Sequence, residues 1–151
     1  MGILLGGAPA SALLGGSSGT ARLGSPAMPP VGNLPTLYIE TEGAAPVVSK
    51  DDYLDATMRI AFPAAANQIH PLRIRGRGNY TWQLEKKPYR LNFDRATAPL
   101  GMTAVQRNWA LIANHEDPRK IGYPTGLTLG SWMSGLDWTP EYRHVEVVLN
   151  G

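Results

Sequence analysis

Arginines occupy every second position in one short stretch of the chain, LRIRGRGNYTW, residues 72–82. Side chains two apart on a β-strand point to the same face, so Arg73, Arg75 and Arg77 would present three guanidinium groups together. Guanidinium forks bind phosphate or carboxylate oxygens through paired hydrogen bonds, and a Gly-x-Gly turn adds accessible backbone N–H donors. The stretch therefore predicts a site for a polyanion, with phosphate as the natural candidate.

The residues after the turn fit this hypothesis only in part, and a second interpretation stays open. Tyr80 and Trp82 offer flat surfaces that could stack on a base or ring. Thr81 stands where a GxGxxG phosphate loop has its last glycine, so neither the dinucleotide fingerprint nor the usual kinase loop is met. Alternatively, the arginines form a solvated outer face paired with nearby carboxylates, and the glycines serve only a tight turn.

Other chemical motifs are weak. The chain has no cysteine, and its three histidines, His70, His115 and His144, are far apart in sequence, so no metal site is predicted. Ser131 and Ser134 lack the context of an activated nucleophile, which argues against a hydrolase. No catalytic residue is assigned.

The basic residues are concentrated in one region. The chain has 14 Lys plus Arg against 12 Asp plus Glu, and a net charge of +2 is too small to favour nucleic acid or a membrane surface as the partner. No apolar run approaches the ~18 residues of a membrane-spanning helix. Seven of the 14 basic residues lie between positions 70 and 95: Arg73, Arg75, Arg77, Lys86, Lys87, Arg90 and Arg95. The positive charge is therefore local.

The composition divides the chain into two parts. Residues 1–33 are rich in Gly, Ala, Ser and Pro, which predicts a disordered leader. The small-x-small triplet Ala10-Ser11-Ala12 also fits a clipped signal peptide. Residues 34–151 carry the strand and helix patterns and are predicted to form one domain.

The patterns of this domain predict an α+β fold, mostly antiparallel sheet with one main helix. Strands at residues 72–77 and 88–93 are expected to pair and to share one basic face. Asp117-Pro118 indicates a helix start, and the glycines and proline that follow limit the helix mainly to residues 125–134. Trp109, Trp132 and Trp138 are expected in the core. The other predicted strands are residues 36–41, 56–62, 108–114 and 144–150.

Asn150-Gly151 is a strong hairpin-turn signal directly after a well-patterned strand. No strand follows it in this sequence. The domain is therefore predicted to be the front portion of a longer protein.

Several short motifs occur in one order and spacing across residues 74–151. They are IRGRGN at 74–79, Thr81-Trp82, KKPYR at 86–90, LGM at 100–102, Asn108-Trp109, LDWTP at 136–140 and VEVVLNG at 145–151. This series resembles the CotH family of spore-coat and cell-surface proteins. LPTLYIET and SKDDYLDATMRI look like the usual beginning of that family, so the resemblance covers residues 34–151.

The resemblance implies the N-terminal lobe of an atypical protein kinase that binds ATP and Mg²⁺ and phosphorylates secreted or coat proteins. It also implies a secreted or cell-surface location. The family's Mg²⁺-binding and catalytic acids would lie beyond Gly151, so this chain alone is expected to be inactive. An alternative is a secreted or surface module that binds a polyanion without catalysis. The resemblance implies that Arg75, Arg77, Lys87 and Arg90 hold the phosphates of the nucleotide. The other residues implied near it are Gly76, Gly78, Asn79 and Trp82.

Overall fold

The computed structural model describes residues 2–6, 34–62 and 67–151. Within those ranges the chain forms seven strands, one α-helix and three short 3-10 turns, which confirms a β-rich α+β fold. The 3-10 turns span Glu42–Ala44, Tyr80–Trp82 and Pro99–Gly101. The longer elements are β1 (Gly2–Gly6), β2 (Thr36–Thr41), β3 (Leu54–Ala61), β4 (Gln68–Gly76), β5 (Tyr89–Thr97), β6 (Gln106–Ile112), α1 (Gly122–Trp132) and β7 (Tyr142–Leu149).

The strands form one curled sheet in the order β1-β6-β5-β4-β3-β2-β7. The sheet closes because β1 pairs with β6 on one side and with β7 on the other. All the described pairings are antiparallel except that of β2 with β7, so the mostly antiparallel sheet predicted from the sequence is confirmed.

The core lies inside the curled sheet and follows the period-2 pattern of the strands. Leu37 and Ile39 of β2 are buried, and Trp109 of β6 is 2% exposed, as expected for a core tryptophan. The core prediction is wrong for Trp132 and Trp138, which are 75% and 40% exposed. The exposure of both side chains follows from the position of α1, which buries only Pro124. Trp132 is the last residue of this helix and Trp138 lies in the segment after it, so both stay outside the core.

The first strand was not predicted. Gly2–Gly6, part of the leader in the sequence analysis, forms β1, and the Leu4 side chain is fully buried between β6 and β7. The five residues of β1 do not alternate between apolar and polar types, so the sequence shows no strand pattern there. Residues 7–33 lie outside the described part of the chain.

The pairing of the basic strand with its neighbour is confirmed. β4 and β5 run antiparallel, with Arg73 opposite Asn92 and Arg75 opposite Arg90. These residues lie on the outer face, because Leu72 and Ile74 between them are buried.

The helix begins at Gly122, three residues before its predicted main part, so the start predicted at Asp117-Pro118 is wrong. Asp117 lies outside α1, and its carboxylate accepts hydrogen bonds from the backbone N–H groups of Gly122 at 2.8 Å and Arg119 at 3.0 Å. Pro124 is the third helical residue, where no intrahelical N–H bond is required, so it does not break the helix. In the described part of the chain, no helix has the length and apolar character needed to cross a membrane.

The Asn150-Gly151 pair has the backbone of the predicted turn. Both residues adopt positive φ angles, 58° and 96°, as the common two-residue hairpin turn requires. The Asn150 side chain bonds back to β2, accepting from the Thr41 N–H and hydroxyl, each at 3.0 Å. This contact fixes the end of β7 against β2.

Candidate functional site

The outer face of β4 and β5 carries three successive rows of side chains, which we call the arginine face. Arg73, Asn92 and Asn108 form the first row, and Arg75, Arg90 and Ala110 form the second. Arg77 continues the series one row further, and its N–H donates to the Pro88 carbonyl at 3.2 Å. The sheet register therefore brings together the four arginines of this face: Arg73, Arg75, Arg77 and Arg90.

Neighbouring polar and aromatic groups hold two of these arginines in place. Arg73 donates to the Asn92 amide oxygen at 3.2 Å, and Asn92 donates to Asn108 at 2.8 Å. The guanidinium groups of Arg73 and Arg75 lie 5.3 Å and 4.9 Å from the centre of the Tyr53 ring. Cation–π contacts of this kind orient a cation without neutralising it.

Arg75 and Arg90 lie directly opposite each other, which is unfavourable for two like charges. The alternative interpretation placed these arginines in ion pairs. Among the described residues, however, no salt bridge joins Arg73, Arg75, Arg77 or Arg90 to a carboxylate. Arg75 Nε is also shielded from solvent and has no hydrogen-bond partner among the described residues. Arg73 lies opposite Asp55 of β3, whereas Arg75 and Arg90 lie side by side without a carboxylate partner among the described residues.

The glycines of the turn serve packing. A Cβ added to Gly76 would lie 2.5 Å from the Trp82 ring, so the indole rests directly on the backbone. The Gly76 N–H donates to the Ser49 carbonyl at 2.8 Å, which leaves it unavailable to a ligand. Gly78 has a φ of 82°, a conformation that favours glycine, and Asn79 precedes the 3-10 turn.

Trp82 and Lys87 hold the turn together. The Trp82 ring packs edge-to-face on Tyr89, with 6.1 Å between ring centres. Lys87 Nζ donates to the carbonyls of Trp82 at 2.9 Å and Leu84 at 3.1 Å, and it lies 5.1 Å from the Trp82 ring. Both side chains are thus engaged within the loop, and the phosphate role assigned to Lys87 stays a prediction.

A pocket of about 410 Å³ adjoins the arginine face at Arg77. The hydroxyl of Tyr80 donates to the Glu116 carboxylate at 2.7 Å and so joins the two loops that wall the pocket. This bond raises the pKa of the Tyr80 phenol. The lining residues are Arg77, Thr81, Leu84, Lys86, Pro88, Ile112, Ala113, Asn114, His115, Glu116, Asp117 and Tyr123.

The pocket offers hydrogen-bond donors above an apolar floor. Burial lowers the pKa of the Arg77 guanidinium, Tyr123 acts in the opposite direction, and the charge of Arg90 lowers that pKa further. The Asn114 side-chain nitrogen is buried and has no hydrogen-bond partner among the described residues. A buried donor without a partner costs free energy, which a bound acceptor would recover.

The carboxylate of Asp117 organises the loop before α1. The backbone N–H of Gly122 is the main reason that the pKa of Asp117 lies below its ordinary value of 3.8. Lys120 Nζ donates to the carbonyls of Asn114 and His115 in the same loop. The acidic residues of the pocket rim are therefore committed to hydrogen bonds within the protein.

Replacing Asp117 by alanine will lower the free energy of unfolding at neutral pH. A carboxyl with a depressed folded-state pKa stabilises the fold above its unfolded pKa, and that contribution is lost as pH falls through the lower folded value. The difference between wild type and Asp117→Ala, measured by urea unfolding, should stay constant from pH 7 to about pH 4 and shrink below it. Asp137→Ala, at an exposed aspartate after α1, is the control; a constant difference down to pH 2 would contradict the assignment.

Sequence reasoning missed several residues of the site. Tyr53, Ile112, Asn114 and Tyr123 join it from loops and strands that lie 20 to 50 positions from the arginines in sequence. No local pattern marks them, although Tyr53 directly precedes β3, which pairs with β4.

The fold and the site define a β-rich lobe with a cationic outer face beside a small pocket. Comparisons with protein-family models, with curated proteins and with solved structures gave no match to this chain.

Proposed function

We propose that the chain binds a nucleotide, with the phosphates on Arg75, Arg77 and Arg90 and the ring in the adjoining pocket. The observation that carries this proposal is the opposed pair Arg75 and Arg90, beside Arg77, without a carboxylate partner in the described ranges. A bound polyphosphate would convert a repulsive pair into charge-assisted hydrogen bonds.

The pocket suits the other end of such a ligand. Its volume of about 410 Å³ falls within the range of small-molecule sites. Pro88, Ile112 and Ala113 give it an apolar floor, and Tyr123 supplies an aromatic wall. Arg77 lies both in the pocket and on the arginine face, so one ligand could occupy both.

In the wider proposal, this lobe belongs to a CotH-type kinase that transfers phosphate to secreted or coat proteins. Phosphoryl transfer asks the protein mainly for cations placed around the phosphates, and the three arginines supply that chemistry. The resemblance also implies Mg²⁺, but the described residues contain no group of three or more acidic or histidine side chains arranged to hold a metal ion. The described residues therefore do not fit a protein-held Mg²⁺.

Titration of the full chain with ATP and with inorganic triphosphate tests the proposal. Hydrogen bonds to charged groups contribute about 1.5–3 kcal/mol, so Arg75→Ala and Arg90→Ala should each weaken binding by roughly 10- to 150-fold. Arg95→Ala, at an exposed arginine also on β5, should leave affinity unchanged. Lys87→Ala separates two roles, because loss of affinity without loss of stability would make Lys87 a phosphate ligand. Equal affinity in wild type and both arginine variants would refute the site.

A surface module that binds an acidic polymer is the second candidate. Arg73 and Arg90 are exposed, and the first row continues as the Asn92–Asn108 amide pair, so the face is longer than one nucleotide requires. Binding of a polyanion such as heparin should weaken steeply with salt, and Mg-ATP should not displace it. Displacement by ATP would favour the nucleotide.

A further inference from the structure

The helix α1 presents its apolar side chains to solvent. Its inward side buries only Pro124, while Leu129 is 52% exposed and Trp132 is 75% exposed. Ile121, Leu129 and Trp132 follow helical spacing along the outward side, and Met133 and Leu136 extend it into the next turn. We call these five residues the α1 face. A surface helix normally turns its large apolar side chains toward the core, so this exposure favours a partner that covers them.

We propose that the α1 face binds the α1 face of a second copy of this chain. Its five side chains are 50–75% exposed, which at about 200 Å² for each large side chain corresponds to an apolar area on the order of 600 Å². This area reaches the upper limit of ~300–600 Å² for apolar patches on monomers. It also supplies most of the ~800 Å² per partner in a standard interface.

Charge favours a second copy as the occupant. Residues 121–140 contain a single charged side chain, Asp137, and charge depletion is typical of the centre of an interface. In a two-fold interface the same patch of each copy is in contact, so like charges concentrated in that patch would repel each other. The α1 face avoids this repulsion, whereas the arginine face would suffer it.

A glycine allows the two helices to approach. A Cβ added to Gly126 would meet no atom within 4 Å, so the surface beside Leu129 is open. Helix pairs pack with axes 8–10 Å apart, and small residues at the contact favour the shorter distance. The interface is thus built around one helix of each copy.

Sedimentation equilibrium of the full chain between about 1 and 100 µM tests the proposal. The wild type should fit a dimer of the 16.3 kDa chain at the upper concentrations. Trp132→Ser removes the most exposed side chain of the face, and Leu129→Glu places like charges near the two-fold axis. Each should weaken dimerisation by 100-fold or more without lowering the helical signal of the monomer. Val48→Glu, at a valine that is 77% exposed elsewhere, should dimerise like the wild type.

Two outcomes would overturn this inference. One is a wild-type chain that stays monomeric over the whole range, and the other is a dimer that survives both substitutions in the α1 face. Nucleotide binding is measured separately and does not depend on either result, so the two proposals fail or stand independently.

Discussion

Replacing Gly76 by alanine will destabilise the fold by about 1–3 kcal/mol, the usual cost of forcing an extra carbon into a packed site. The new Cβ would lie 2.5 Å from the Trp82 indole, which cannot move freely because it packs on Tyr89 and under Lys87. Urea unfolding of the full chain measures the loss. The displaced indole should also carry the turn away from Arg77, so triphosphate affinity should fall with stability.

Gly126→Ala is the matched control for this substitution. It adds the same methyl group at a helical position with nothing within 4 Å, and alanine favours a helix over glycine by about 1 kcal/mol. The stability of the monomer, measured at concentrations too low for the proposed α1 interface to form, should therefore rise. Wild-type stability in Gly76→Ala would show that the indole does not rest on this backbone.

Replacing Leu4 by alanine will lower the free energy of unfolding by about 2–5 kcal/mol, as for other fully buried leucines. Leu4 is 0% exposed and lies where β1 joins β6 and β7, so its loss leaves a cavity at the closure of the sheet. The measurement is again urea unfolding of the full chain. Leu4→Met, which nearly conserves volume, should cost less than about 1.5 kcal/mol.

Val48→Ala is the control for Leu4, since Val48 is 77% exposed and should change stability by no more than about 0.5 kcal/mol. The experiment also tests whether residues 2–6 contribute to the stability of the fold. If residues 2–6 belong to a dispensable leader, Leu4→Ala will unfold like the wild type.

Local pattern predicted most of the sheet. β2 matches its predicted range, Thr36–Thr41, because Leu37 and Ile39 are buried in the core while Tyr38 and Glu40 are not. The pairing of β4 with β5 was also predictable, since both strands alternate and one loop joins them. The full length of β5, Tyr89–Thr97, was not predictable from the local pattern. Its last residues lie beyond an irregularity in the pairing of β5 with β6.

The rest of the site depends on contacts that no local pattern encodes. Trp132 is apolar and large, which favours burial, but the tertiary position of α1 turns it outward. Lysine is a common type of phosphate ligand, yet the ammonium group of Lys87 donates hydrogen bonds to nearby backbone carbonyls. Asn114 and Arg77 line the same pocket only because the loop before α1 lies close to the turn after β4. The alternation along β4 and β5 predicts that the arginines share one face, whereas their neighbours depend on tertiary contacts.

The parallel contact between β2 and β7 bears on how fast the chain can fold. The Thr41–Asn150 hydrogen bond joins residues 109 positions apart, and β1 must meet β7 across an even longer span. Bringing such distant segments together lowers the conformational entropy of the chain before their contacts form. We therefore expect folding in milliseconds to seconds. The hairpins from β3 to β6 can form earlier, as a nucleus on which the two termini converge last.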